Sequence, residues 1–259
     1  MAKGVAKNVA DGRKALGCSE AEWKARVELA ACYRQSARMG ITDLIFTHMS
    51  ARVPGEPEHF LVNPNGLLYE EITASCLVKM DMEGRVLADP MGLGHLPGGF
   101  SFHSAVYLAR SDAVCAIHNH TDATIAVGAQ EKGLLAVSQH AIRFHGLVAY
   151  MDYPGFVSAE EERVALGRAL GDRKVLMLRN HGTLITGNTI RDAFIHMYFL
   201  EAACRHQVTM QSCGVPFSLI PEDIAAETAK RFANAPPVRQ RDWPALLRQL
   251  DRDDPSYAS

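Results

Sequence analysis

The ten residues AVCAIHNHTD, positions 113–122, decide how this chain is read. An apolar run from Ala113 to Ile117 leads into two histidines one residue apart, His118 and His120. A short apolar run of this length reads as a buried strand. Side chains alternate along a strand, so residues i and i+2 point the same way. His118 and His120 therefore present two imidazoles on one face. Neutral imidazole ligates zinc, iron, copper or nickel. The same pair is also compatible with two half-buried structural histidines. A catalytic zinc takes three protein ligands and keeps a position open. His181, in the stretch RNHG at 179–182, is the best third candidate. It falls at a tight turn between two strands, where Gly182 allows close approach.

Working outward, Ser19 with Glu22 three residues later reads as a capping box. It predicts a helix to about Met39, stopped at Gly40. Strands are expected over 44–53, from His59 to Val62, and in a hairpin over 77–87 that turns at Asp81–Gly84. Residues 91–99 form a glycine-rich segment, followed by a helix from about Gly98 to Arg110. A short helix is expected at 124–129 and a strand from Val148. A helix at 160–170 should stop at Gly171, with strands at 174–179 and 183–186. Thr189 and Asp192 open a helix that should run to Gly214. The C-terminal stretch should hold one or two short helices. Residues 1–18 read as an arm, 19–215 as one α/β domain, and 216–259 as an extension packed on it.

The 259 residues are 47% hydrophobic and 22% charged, with a net charge of −2. Neither nucleic acid nor an anionic membrane is favoured as a partner by that charge. No stretch approaches the roughly 18 apolar residues of a membrane helix. The N-terminus lacks the apolar core of a secretory signal. Six scattered cysteines without a C-x-x-C pair read as free thiols of a reducing compartment. A cytoplasmic location follows as the expectation.

The pieces HNH at 118–120, RNHGT at 179–183, FSFHSAVYLAR at 100–110 and VAYMDYPG at 148–155 together resemble the class II aldolase/adducin family. The resemblance covers about residues 22–215. It implies that His118, His120 and His181 hold a divalent metal, zinc first, with manganese or iron as alternatives. It also implies an α/β fold, a three-layer α/β/α sandwich with a mostly antiparallel central sheet. A homotetramer with active sites at subunit interfaces is implied as well.

The sequence departs from the sugar-phosphate aldolases of that family. Their acid/base glutamate aligns with Gly99, which has no side chain. Their phosphate-binding stretches align with THMS at 47–50, NPNG at 63–66 and PGG at 97–99. The first and last of these match poorly. A non-phosphorylated substrate is therefore expected, with Asn65, Gly66, Gly98 and Gly99 lining its site. His48 replaces a polar position beside the substrate pocket. Tyr150 is a substrate-contact candidate, against ordinary core packing. His103 lies one turn beyond Gly99 and is a candidate catalytic group, against a packed helix histidine. In the loop at 138–142, His140 falls at or beside the position where relatives carry a catalytic tyrosine or glutamate, and histidine suits proton transfer near neutrality, against an ordinary loop histidine.

The expected function is a divalent-metal-dependent lyase, with a small hydroxy-keto or aromatic acid as substrate. The reaction would be retro-aldol cleavage or decarboxylation through a stabilised enolate. Two alternatives stay open. One is a non-haem Fe(II) oxygenase on the same three histidines. The other is a non-catalytic interaction module like the adducin heads.

Overall fold

Ser19 starts the first long helix as expected, but only half of the capping box forms. Its Oγ accepts the Glu22 N–H at 3.1 Å, opening α1 (Glu20–Arg38). The Glu22 carboxylate turns instead to Arg26 at 2.8 Å and Lys79 at 2.9 Å. Arg26 is 1% exposed, so its charge needs that partner inside the core. The computed structural model describes residues 12–155, 159–234 and 241–259. The first eleven residues of the expected arm lie outside the described residues, and residues 12–16 are helical.

Eight strands make one sheet in the order β4-β3-β2-β1-β5-β8-β7-β6. They are β1 (His48–Val53), β2 (Glu56–Val62), β3 (Val78–Asp81), β4 (Val86–Ala88), β5 (Cys115–Asn119), β6 (Val148–Met151), β7 (Val175–Leu178) and β8 (Gly182–Gly187). Every neighbouring pair is antiparallel except β6 with β7. The helices are α2 (Pro97–Ala109), α3 (Asp122–Gly128), α4 (Gln139–Ile142), α5 (Ala159–Leu170), α6 (Ile190–Ser212), α7 (Glu222–Ala233) and α8 (Asp242–Asp253).

Alternation along the strands builds two cores. Leu61, Ile117, Met177 and Ile185 face one core, with Leu29 of α1 and Phe194 and Met197 of α6. Phe60, Ala116, Leu176 and Leu184 face the other, with Phe102 and Val106 of α2 and Leu166 of α5. The sheet is thus the middle of three layers, as expected.

Three local readings need correction. The expected strand over 44–53 begins only at His48, because Phe46 N–H bonds the Asp43 carbonyl in a turn that puts Leu44 at φ +47°. Residue-level β-propensity was overridden by that turn. Strand β2 starts at Glu56, earlier than His59. Residues 139–142, read as loop, form the short α4, whose Ala141 N–H is capped by Ser138 Oγ. Beyond α6, Trp243 packs on Phe194 with ring centroids 5.3 Å apart. Tyr257 and Ala258 close the same core.

Candidate metal centre

His118 is the fourth residue of β5 and pairs in register with His48 of β1. Both side chains leave the sheet on the α2 side. The β5 ladder ends at Asn119, so His120 projects just past the last ladder pair. β8 returns beside β5 through the turn Asn180–His181, with Asn180 at φ +62°. Asparagine tolerates that left-handed conformation better than most residues. Gly182 then lies so close to β5 that a Cβ there would stand 2.2 Å from the Asn119 carbonyl oxygen and 2.8 Å from His120 Cδ2. The glycine is what lets His181 close on the pair. A ligand nitrogen from each of His118, His120 and His181 lies within 4.8 Å of the others.

The protons of this cluster can be assigned from its partners. His118 Nδ1 sits 3.0 Å from the Thr183 carbonyl, and His120 Nδ1 sits 2.9 Å from an Asp43 carboxylate oxygen. Carbonyl and carboxylate only accept, so both Nδ1 atoms carry the hydrogen. The two Nε2 atoms then face each other at 2.8 Å with lone pairs. Two lone pairs at that distance repel unless a positive charge lies between them. Burial first, and then His48, His120 and His181, hold His118 well below the ordinary imidazole range. A proton is therefore a poor guest for His118 near neutrality. Burial and then His120 likewise lower His181. The donor set fits a divalent cation, and the backbone carbonyl and carboxylate behind the imidazoles are the partners that orient metal-binding histidines. Asp43 was not singled out in the sequence. Its only signal there was a lone acid before a strand.

The remaining candidates fall in five places. His48 is 3% exposed, with its ring centroid 4.9 Å from that of His118. His103 lies behind it, bonding His48 Nδ1 through Nε2 at 2.9 Å and Ser50 Oγ through Nδ1 at 2.7 Å. Burial first, then His118 and His95, lower His103 to about 3. Burial and then His103 lower His48 well below its usual value. Phe102 stacks on His118 with centroids 4.3 Å apart.

Gly99 lines a narrow crevice with His48, Asn63, His95, Leu96 and Phe100. Gly98, beside it, has open space where a side chain would go. Asn65 and Gly66 form the turn after β2, and Asn65 N–H bonds the Gly94 carbonyl of the glycine-rich loop. Tyr150 is on β6, with its hydroxyl accepting the Leu134 N–H at 2.8 Å, away from the cluster. His140 packs against Phe199 and His206 at 5.2 and 5.1 Å between centroids. Within one chain neither Tyr150 nor His140 joins the three histidines.

Residues 27–208 match the family model described as class II aldolase and adducin N-terminal domain. A solved aldolase II superfamily protein from Pseudomonas syringae is 44% identical, with a TM-score of 0.89, covering 93% of this chain and 98% of its own. An L-fuculose 1-phosphate aldolase from Glaciozyma antarctica is 30% identical, with a TM-score of 0.74 and 82% of each chain covered. Alpha-adducin of Rattus norvegicus is 39% identical over 255 residues, covering 93% of this chain but 35% of the adducin. The chain belongs to the class II aldolase/adducin family, as its histidine signature indicated.

Proposed function

We propose that the chain is a divalent-metal-dependent lyase acting on a small, non-phosphorylated hydroxy-keto or aromatic acid. One observation carries the reading: two Nδ1-protonated imidazoles aim their Nε2 lone pairs at one point, with His181 beside them. His118, His120 and His181 would hold the cation, zinc in first place. Such a cation supplies Lewis-acid chemistry, stabilising negative charge on an oxygen as a carbon–carbon bond breaks. Asp43 and Thr183 would fix the ring orientations. Phe102 would exclude water from one flank of His118. Gly99 removes the side chain that a sugar-phosphate aldolase needs there, which supports a different substrate.

The assembly we infer is a homotetramer with the site at an interface. Leu44, Phe46 and Tyr153 are 66%, 50% and 61% exposed. They lie beside the cluster: Asp43 bonds His120, and the Tyr153 ring is 6.2 Å from that of His181. Exposed apolar groups so placed suit a protein contact. His140, remote within one chain, would act only from a neighbouring subunit. All six cysteines are free thiols, and among the described residues no helix is long and apolar enough to cross a membrane. The free thiols suit the reducing compartment expected for the chain.

The likeness to alpha-adducin and the bare Gly99 favour a second reading, a non-catalytic binding module. Metal content of protein purified without chelators or a histidine tag, compared with His118→Ala, tests the first. One zinc or manganese per chain, lost in the variant, supports the lyase. Iron turns the reading to oxygen chemistry on the same residues. No metal after reconstitution of a folded protein sinks it.

A further inference from the structure

His48 and Gly99 share one small volume. A Cβ on Gly99 would stand 3.0 Å from His48 Cδ2 and 3.2 Å from its Cγ and Nε2. A side chain at residue 99 therefore fits only if the His48 ring gives way by a few tenths of an ångström. Three side chains keep it there. His48 and Ser50 are alternate residues of β1, so they share a face. His103 and Tyr107 are one turn apart on α2, so they share a stripe. The two pairs interleave: His48 Nδ1 with His103 Nε2 at 2.9 Å, His103 Nδ1 with Ser50 Oγ at 2.7 Å, and Ser50 Oγ with the Tyr107 hydroxyl at 2.8 Å. All four residues are buried.

The bonds of this four-residue network use His48 Nδ1 and leave His48 Nε2 outside it. That atom belongs to the ring beside His118 and faces the crevice at Gly99.

Resting on the metal-site reading above, we propose that His48 contacts the substrate. Its Nε2 hydrogen-bonds an oxygen of the small molecule held at the histidine cluster. His103, Ser50 and Tyr107 are the positioning residues that aim it. Every link of the chain can run in either direction. With the Tyr107 proton given to Ser50, His48 Nε2 carries a hydrogen for an anionic oxygen. With that proton turned to the Val114 carbonyl, 3.5 Å away, Nε2 offers a lone pair to a hydroxyl. One neutral imidazole thus serves the hydroxyl and the enolate oxygen of one substrate without changing its own charge.

The test uses the full chain loaded with cobalt(II), titrated with acetohydroxamate and followed by visible absorption. His48→Ala should keep cobalt affinity and lose roughly ten-fold in hydroxamate affinity, the effect of one lost hydrogen bond in a dry site. His103→Leu should lose as much, while His103→Gln, whose amide can replace the ring's contacts, should keep most of it. Gly99→Ala should displace the ring and lose a similar factor. The His48→Ala/Gly99→Ala pair should be no weaker than His48→Ala, because both act through one ring. Unchanged hydroxamate affinity in folded His48→Ala overturns the proposal, and so does full additivity of the two changes. A wild-type protein that takes up no cobalt overturns the metal reading itself, which is seen before hydroxamate is added.

Discussion

Asp43 and His120, 77 positions apart, meet at 2.9 Å, with the carboxylate accepting the Nδ1 hydrogen. The bond fixes which nitrogen of His120 is free to ligate. Partners of this kind typically contribute a factor of roughly 10–100 in metal affinity. Asp43→Ala should weaken zinc binding by about that factor, with the fold retained. Competition against a coloured chelator measures it, and an unchanged affinity would show that His120 is oriented by its neighbours alone.

Gly182→Ala should be damaging out of proportion to one methyl group. The new Cβ meets backbone at 2.2 Å, which no rotamer change relieves. Separating β5 from β8 at that point should cost on the order of 3 kcal/mol or more. Metal binding should fall along with it, since His120 Cδ2 is the next atom in the way. Urea unfolding with and without zinc reads both effects.

Acid should destabilise the metal-free protein through His103. Its folded value is about 3, below the unfolded value near 6.5, with burial as the main cause. The unfolded chain therefore binds the proton first as pH falls. Stability is full above about pH 6.5 and declines toward pH 3, by up to about 1.4 kcal/mol per pH unit from this group. His103→Gln should flatten that slope in a pH series of urea melts.

Glu22→Ala should cost about 3–5 kcal/mol, because it leaves the Arg26 guanidinium buried without its carboxylate. Arg26 would keep only the Ala74 and Leu77 carbonyls. A double change to Glu22→Leu with Arg26→Met should recover most of the loss. Thermal melts of the three variants make the comparison.

Periodicity and signature residues made the sheet and the histidine cluster legible. Of the Ala113–Ile117 run, Cys115–Ile117 lies in the buried central strand β5, which starts two residues later than the run, and the Asn180–Gly182 turn brings His181 to it. Asp43 was hidden because a second partner of a ligand is set by tertiary contact, and its turn, with Leu44 at positive φ, contradicts local propensity. The His48–His103–Ser50–Tyr107 chain was half visible. Its members were within reach on each element, but their interleaving depends on how α2 lies on β1. The remoteness of His140 and Tyr150 from the cluster also has no one-dimensional signal.

The β5–β8 ladder is the seam of the sheet. Strands β1 to β5 lie on one side of it, and β6 to β8 on the other. His118 and His120 stand at one lip and His181 at the other. The two lips come from distant parts of the chain, so the cluster exists only after this slow, non-local pairing has formed. Anything gripping all three histidines therefore acts as a clasp. It lengthens the lifetime of the folded sheet by holding shut the joint at which its two halves would part.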